Sequence, residues 1–132
     1  MKLTVHVDGG ARGNPGPAAI AAVVSDPDGE VIDSVSQVIG RATNNVAEYR
    51  ALILGVERAA ELGATEVDVV GDSELIVKQV RGEYKVKNPD MKPLHAAASA
   101  ALARLDSWSI RHVKRELNAE ADRLVNEALD AN

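Results

Sequence analysis

The sequence predicts an α/β fold, with three strands first and then strands alternating with helices, in the order βββαβααβα. Two observations carry this. Residues 2–39 hold three blocks that read as strands, separated by turn formers. From residue 44 the apolar spacing lengthens to that of a helix, and short strand-like runs return only near 67–70 and 107–113. Five strands in this arrangement make a mixed sheet that opens antiparallel and carries helices on its faces.

The elements follow in order. Leu3, Val5 and Val7 alternate with Thr4, His6 and Asp8, the pattern of a half-buried strand over residues 2–8. Residues 9–17 (GGARGNPGP) form a turn-rich loop. Residues 18–25 (AAIAAVVS) form a short buried strand that ends at the tight turn Asp26-Pro27-Asp28-Gly29. Residues 30–39 pair back as its hairpin partner. Over residues 44–62, Tyr49, Leu52, Ile53, Val56 and Ala60 recur at helical spacing, with Gly63 as the stop. Val67, Val69 and Val70 form a strand that ends at Gly71-Asp72. A helix over 73–81 is capped by Ser73. A polar loop over 82–90 leads to an Ala- and Leu-rich helix over 91–105. A strand over 107–113 precedes a final helix over 118–131, with Asn118 as its N-cap. The reading is one domain over residues 1–132, without repeats or linkers.

Composition narrows the function. The 132 residues contain no cysteine, which excludes disulfides, cysteine-held metals and a thiol nucleophile. No targeting segment or membrane-length apolar run is read, so a cytoplasmic protein is expected. The net charge is −5 and aromatic residues make up only 2%. At first sight this disfavours nucleic acid, because phosphate attraction and stacking platforms are both scarce.

Four carboxylates stand at awkward places. Asp8 and Asp72 end strands. Glu48 lies in the first turn of the first helix, at the edge of its apolar face. Asp122 precedes Val125 and Leu129 by three and seven residues and points inward with them, with no apolar-face Lys or Arg as partner. Each has an ordinary alternative: Asp8 and Asp72 as turn residues, Glu48 as the partner of Asn45 in a capping box, and Asp122 as a first-turn acid. Strand ends and helix starts meet at one edge of an α/β sheet, however, and a cation gathered there accounts for all four together. Ligands that are all oxygen favour Mg²⁺ or Mn²⁺, and several carboxylates around two such ions make a phosphoryl-transfer site. The loop GGARGNPG reads equally as a phosphate cradle or as a tight hairpin entry, and it matches neither common nucleotide-binding motif.

Taken in order, four motifs resemble type 1 ribonuclease H. They are Val7-Asp8-Gly9-Gly10 with Gly13-Asn14-Pro15-Gly16, then Thr43-Asn44-Asn45-Val46-Ala47-Glu48, then Gly71-Asp72-Ser73, and finally Ala121-Asp122. The resemblance spans the whole chain. It implies the ribonuclease H-like fold and endonucleolytic hydrolysis of the RNA strand of RNA/DNA hybrids, leaving 5′-phosphate and 3′-hydroxyl ends. It implies two Mg²⁺ ions, or Mn²⁺ in their place, held by Asp8, Glu48, Asp72 and Asp122. It places Glu48 beside the 2′-hydroxyl at the scissile phosphate. It also assigns hybrid contacts to Gly9, Gly10, Asn14, Thr43, Asn44, Asn45 and Ser73.

The chain departs from the family pattern in three places. Longer members carry a loop histidine shortly before the last aspartate. Here that stretch is shorter and holds Glu116, while His112 falls on the preceding strand, so Arg115, Glu120 or water is left to move protons. Glu74 stands where a substrate-contacting glutamine is familiar. The extra helix and basic protrusion of some members are replaced by a short loop. Residues 78–92 nevertheless carry a net +3 while the rest of the chain holds −8. Lys85 and Lys87 are therefore expected to form a reduced handle for the DNA strand. A DNA nuclease on the same fold, an inactive hybrid-binding module and an acidic scaffold are the competing readings. The retained carboxylates and Thr43-Asn44-Asn45 favour the ribonuclease, and a monomer is expected. Few aromatics then fit a protein that reads a duplex by shape and backbone rather than stacking on single strands.

Overall fold

The computed structural model describes residues 1–131. Five strands, β1 (Lys2–Ala11), β2 (Gly16–Ser25), β3 (Val31–Ala42), β4 (Glu66–Gly71) and β5 (Ser107–His112), form one sheet in the order β3-β2-β1-β4-β5. β1–β2 and β2–β3 are antiparallel; β1–β4 and β4–β5 are parallel. The helices are α1 (Asn44–Glu61), α2 (Glu74–Val80), α3 (Lys92–Ala103) and α4 (Ala119–Asp130). The expected order and sheet type both hold.

Side-chain alternation decides which face each helix covers. Leu3, Val5 and Val7 of β1 join Ala18, Ile20, Ala22 and Val24 of β2 beneath α1, in the larger core. The intervening Ala19 and Ala21 meet Val125 and Leu129 of α4 on the opposite face. β2 is thus buried on both sides, which explains its unbroken run of small apolar residues. Gly55 lets α1 lie close on the sheet, because a Cβ there would fall 2.7 Å from Val5 Cγ1 and 2.8 Å from Val7 Cγ1. α1 ends at Gly63, whose φ of +97° suits only glycine comfortably.

Three strands run further than the sequence indicates, with β2 beginning at Gly16 in place of residue 18. β1 continues through Gly9 and Gly10, which pair with Ile20 and Ala19, so the expected loop at 9–17 shrinks to residues 12–15. β3 continues to Ala42, with a register irregularity near Gly40. Backbone pairing holds these segments, although the glycines give no alternation to read. Residues 115–118 form a short 3-10 turn (Arg115–Asn118) ahead of α4.

Candidate active site

The parallel pairing of β1 and β4 assembles the first half of the site. His6 lies opposite Val70, and two further residues along the same register set Asp8 beside Asp72. Ser73 then caps α2, its side chain accepting from the Ile76 N–H at 3.4 Å, and so turns the chain away just after Asp72.

Glu48 arrives from the other direction, on α1. The N-cap of α1 is Thr43, whose hydroxyl accepts from the Val46 N–H at 3.2 Å. This rules out the alternative of a capping box between Asn45 and Glu48: Asn45 lies inside the first turn, and Glu48 lies beyond it. Gly9 sets how closely α1 approaches. A Cβ at Gly9 would fall 2.3 Å from Ala47 O and 2.7 Å from the Glu48 nitrogen. The absent side chain at Gly9 lets the Glu48 backbone rest against β1 next to Asp8.

As a result, carboxylate oxygens of Asp8, Glu48 and Asp72 lie within 4.8 Å of one another. Burial first, then the charges of Asp72 and Asp122, push the Asp8 carboxyl up to about 8. Burial, with Asp8 and Asp72 adding to it, holds Glu48 well above the usual carboxylate range. Burial also raises Asp72, against the pull of Arg115. Without a cation, these three acids hold protons more tightly than free carboxylates.

Asp122 completes the rim from α4, lining the same cleft of about 430 Å³. It does have a cationic partner, contrary to the sequence reading: Arg115 Nη2 donates to Asp122 Oδ1 at 3.0 Å. The 3-10 turn brings Arg115 back over the cleft, a geometry that helical spacing cannot reveal. The start of α4 is fixed by Asn118, which is 1% exposed. Asn118 occupies the N-cap position but makes no capping bond. Its Nδ2 donates instead to Val7 O at 2.8 Å, tying α4 to the strand residue before Asp8. Asn118→Ala is expected to lower stability by about 2 kcal/mol, because a buried carbonyl loses its donor. Urea unfolding measures this; a change within error would mean that the bond does not hold α4 in place.

The remaining predicted contacts divide. Gly9, Gly10 and Asn44 line the cleft. Asn14 Oδ1 accepts from the Asn44 N–H at 3.0 Å, and Asn44 Oδ1 accepts from the Ala11 N–H at 2.8 Å. The two asparagines thereby clasp the 12–15 turn to the head of α1. Lys85 and Lys87 are exposed and stand apart from the carboxylates; Lys85 lines a second cavity of about 390 Å³ with Arg81 and Lys92. Glu74 is paired with Lys78 at 2.8 Å, Glu120 with Arg123, and Glu116 and His112 are exposed. None of these four lines the carboxylate cleft.

A sheet of this order, with a carboxylate cleft at the head of its central parallel pair, defines a ribonuclease H-fold protein whose clustered acids could hold a cation. Residues 6–128 match the family described as reverse transcriptase-like. The bifunctional protein Rv2228c of Mycobacterium tuberculosis is 49% identical over 132 residues, covering 99% of this chain and 36% of that protein. The chain therefore spans about a third of the length of these mycobacterial relatives. RNase H1 from Halobacterium salinarum superposes with a TM-score of 0.98 at 43% identity, covering 100% of both chains. LC11-RNase H1, solved in complex with an RNA/DNA hybrid, superposes at 0.93 with 46% identity, covering 98% of this chain and 97% of that one. The chain belongs to the reverse transcriptase-like family, in its type 1 ribonuclease H group. No helix among the described residues is long and apolar enough to cross a membrane.

Proposed function

We propose that residues 1–132 form one ribonuclease H domain that hydrolyses the RNA strand of RNA/DNA hybrids. The observation that carries this is the cluster of Asp8, Glu48 and Asp72, with Asp122 across the same cleft. The donor set is all oxygen, anionic and crowded enough to hold protons abnormally, which suits hard divalent cations. Asp8, Glu48, Asp72 and Asp122 would hold Mg²⁺, or Mn²⁺ in its place. Bound there, two such ions supply an activated water and neutralise the charge on the leaving 3′-oxygen.

The chain's own residues do the rest. Asp8, paired within β1, and Asp72, one residue past the end of β4, define the floor of the cleft. On this reading Glu48 meets the 2′-hydroxyl, which only RNA offers. With their Oδ1 atoms engaged, Asn14 and Asn44 have fixed amides whose NH₂ groups remain as donors to a sugar-phosphate backbone. Thr43 and Asn45 frame the same edge of α1. Arg115 holds Asp122 and places a cation over the cleft where phosphate enters.

The test is a substrate panel. Labelled RNA/DNA hybrid, double-stranded RNA and duplex DNA are incubated with the protein and Mg²⁺ or Mn²⁺, alongside Asp72→Asn. Hybrid cleavage that disappears in Asp72→Asn is expected. Cleavage that persists in that variant contradicts the assigned site.

Two further outcomes are expected of such a site. The raised Asp8 carboxyl favours the folded, metal-free protein at low pH, and this contribution is lost as pH rises through about 8. Mg²⁺ needs the ionised form. Its stabilising effect is therefore expected to be larger near pH 9 than near pH 6 by thermal melting; equal shifts would contradict it. For the handle, reversing charge at Lys85 and Lys87 is expected to raise KM roughly tenfold and flatten its salt dependence, with kcat little changed. An unchanged KM would remove both lysines from the substrate path.

A further inference from the structure

Tyr49 is fully buried, although it carries a hydroxyl. It follows Glu48 on α1, and its Oη donates to Gln79 Oε1 on α2 at 2.6 Å. Gln79 is 6% exposed, and its backbone carbonyl oxygen lies 3.2 Å from His95 Nε2 on α3. The rings of Tyr49 and His95 meet edge to face, with centroids 6.2 Å apart. A polar tie thus runs from α1 through α2 to α3 inside an otherwise apolar core.

Its placement matters more than its energy. A neutral buried hydrogen bond adds little net stability, but it has a defined geometry that aliphatic contacts lack. α1 packs mainly on β1, β2 and α3, whereas α2 packs mainly on β5 and α3. The Tyr49–Gln79 bond joins these two helices directly. Glu48 lies next to Tyr49 on α1, and Asp72 lies just before the Ser73 cap of α2. The bond therefore links the two segments that deliver Glu48 and Asp72.

We propose that the Tyr49–Gln79 hydrogen bond sets the separation of Glu48 and Asp72, which makes Tyr49 and Gln79 positioning residues for the cation site. This rests on reading Asp8, Glu48 and Asp72 as cation ligands. The test compares Tyr49→Phe, Gln79→Leu and Gln79→Glu, the last of which keeps an acceptor for the tyrosine hydroxyl. Mn²⁺ affinity is measured by calorimetry, and hybrid cleavage at a temperature where circular dichroism shows each variant folded. Tyr49→Phe and Gln79→Leu are expected to bind Mn²⁺ roughly tenfold more weakly and lose kcat by a similar factor, with KM unchanged. Gln79→Glu buries an acid and is expected to melt earlier, but where it is folded it is expected to keep Mn²⁺ affinity and kcat within about twofold of wild type. The double variant Tyr49→Phe/Gln79→Leu leaves neither partner stranded; it is expected to regain thermal stability while Mn²⁺ binding stays weak. Wild-type Mn²⁺ affinity and kcat in both Tyr49→Phe and Gln79→Leu would overturn the proposal. If Asp72→Asn then still abolishes Mn²⁺ binding, the carboxylate reading stands without it; no Mn²⁺ binding by the wild type would sink both.

Discussion

Asp8→Asn is expected to remove hybrid cleavage while making the metal-free protein more resistant to heat. Asp8 is buried, and its carboxyl is pushed up to about 8 by that burial and by Asp72 and Asp122. At neutral pH the fold therefore tolerates a poorly solvated acid, which the proposed cation site would ionise. Asparagine has nearly the same shape, removes the repulsion and offers an NH₂ donor to Glu48. Each kcal/mol so relieved raises the melting temperature by about 4 °C for a domain of this size. The loss in turnover is expected to reach roughly a thousandfold, the scale of deleting a main electrostatic element of a phosphoryl or acyl transfer site. Thermal melting with EDTA and a hybrid assay with Mg²⁺ check the two halves separately. A variant that cuts at wild-type rate would break the site assignment. One that melts earlier would break the claim that the site is strained without its cation.

Gly9→Ala is expected to damage both stability and activity. The added methyl would lie 2.3 Å from Ala47 O and 2.4 Å from its carbonyl carbon, distances that no rotamer can relieve because both are backbone atoms. Either α1 lifts from β1 or β1 bends away. Overpacking of this kind costs about 3 kcal/mol. The atoms that must move include the Glu48 nitrogen, so cleavage is expected to fall more steeply than stability alone would dictate. Urea titration gives the first quantity, and cleavage measured well below the unfolding midpoint gives the second. Wild-type cleavage in a stably folded Gly9→Ala protein would show that Glu48 does not need its observed seat. Gly10 provides the contrast: the nearest atom to its added Cβ is Val125 Cγ1 at 3.8 Å, an ordinary contact.

The contrast between these glycines shows where sequence reasoning stops. Both stand in one Gly-Gly pair, and neither has a pattern from which a strand can be read. Only the pairing of Gly9 with Ile20 and Gly10 with Ala19 shows that β1 continues past Asp8. The four carboxylates were legible for a different reason. An acid beside buried strand residues or on an inward helix face conflicts with burial, and conflicts of that sort are where a functional position is sought. The partner of Asp122 was hidden because Arg115 reaches it from a 3-10 turn, outside the spacing rules of a regular helix. Asn118 does stand at the head of α4, as its residue type suggests, but its amide crosses to Val7 O instead of capping the helix. Tyr49 fell on the apolar face of α1, as its spacing requires. The bond to Gln79 spans 30 residues, and no local pattern announces it.

In the proposed reaction these carboxylates would direct a metal-activated water at the RNA strand of a hybrid. The most direct measurement is the chemistry of the cut ends. A hybrid labelled on its RNA strand is digested with Mg²⁺, and the fragments are analysed for 5′-phosphate and 3′-hydroxyl termini, with an EDTA control. Attack by water with departure of the 3′-oxygen predicts those termini, an intact DNA strand and no cleavage in EDTA. Fragments ending in a 2′,3′-cyclic phosphate, or equal cleavage in EDTA, would mean that the RNA's own 2′-hydroxyl attacks and that the carboxylate cluster is not the catalyst.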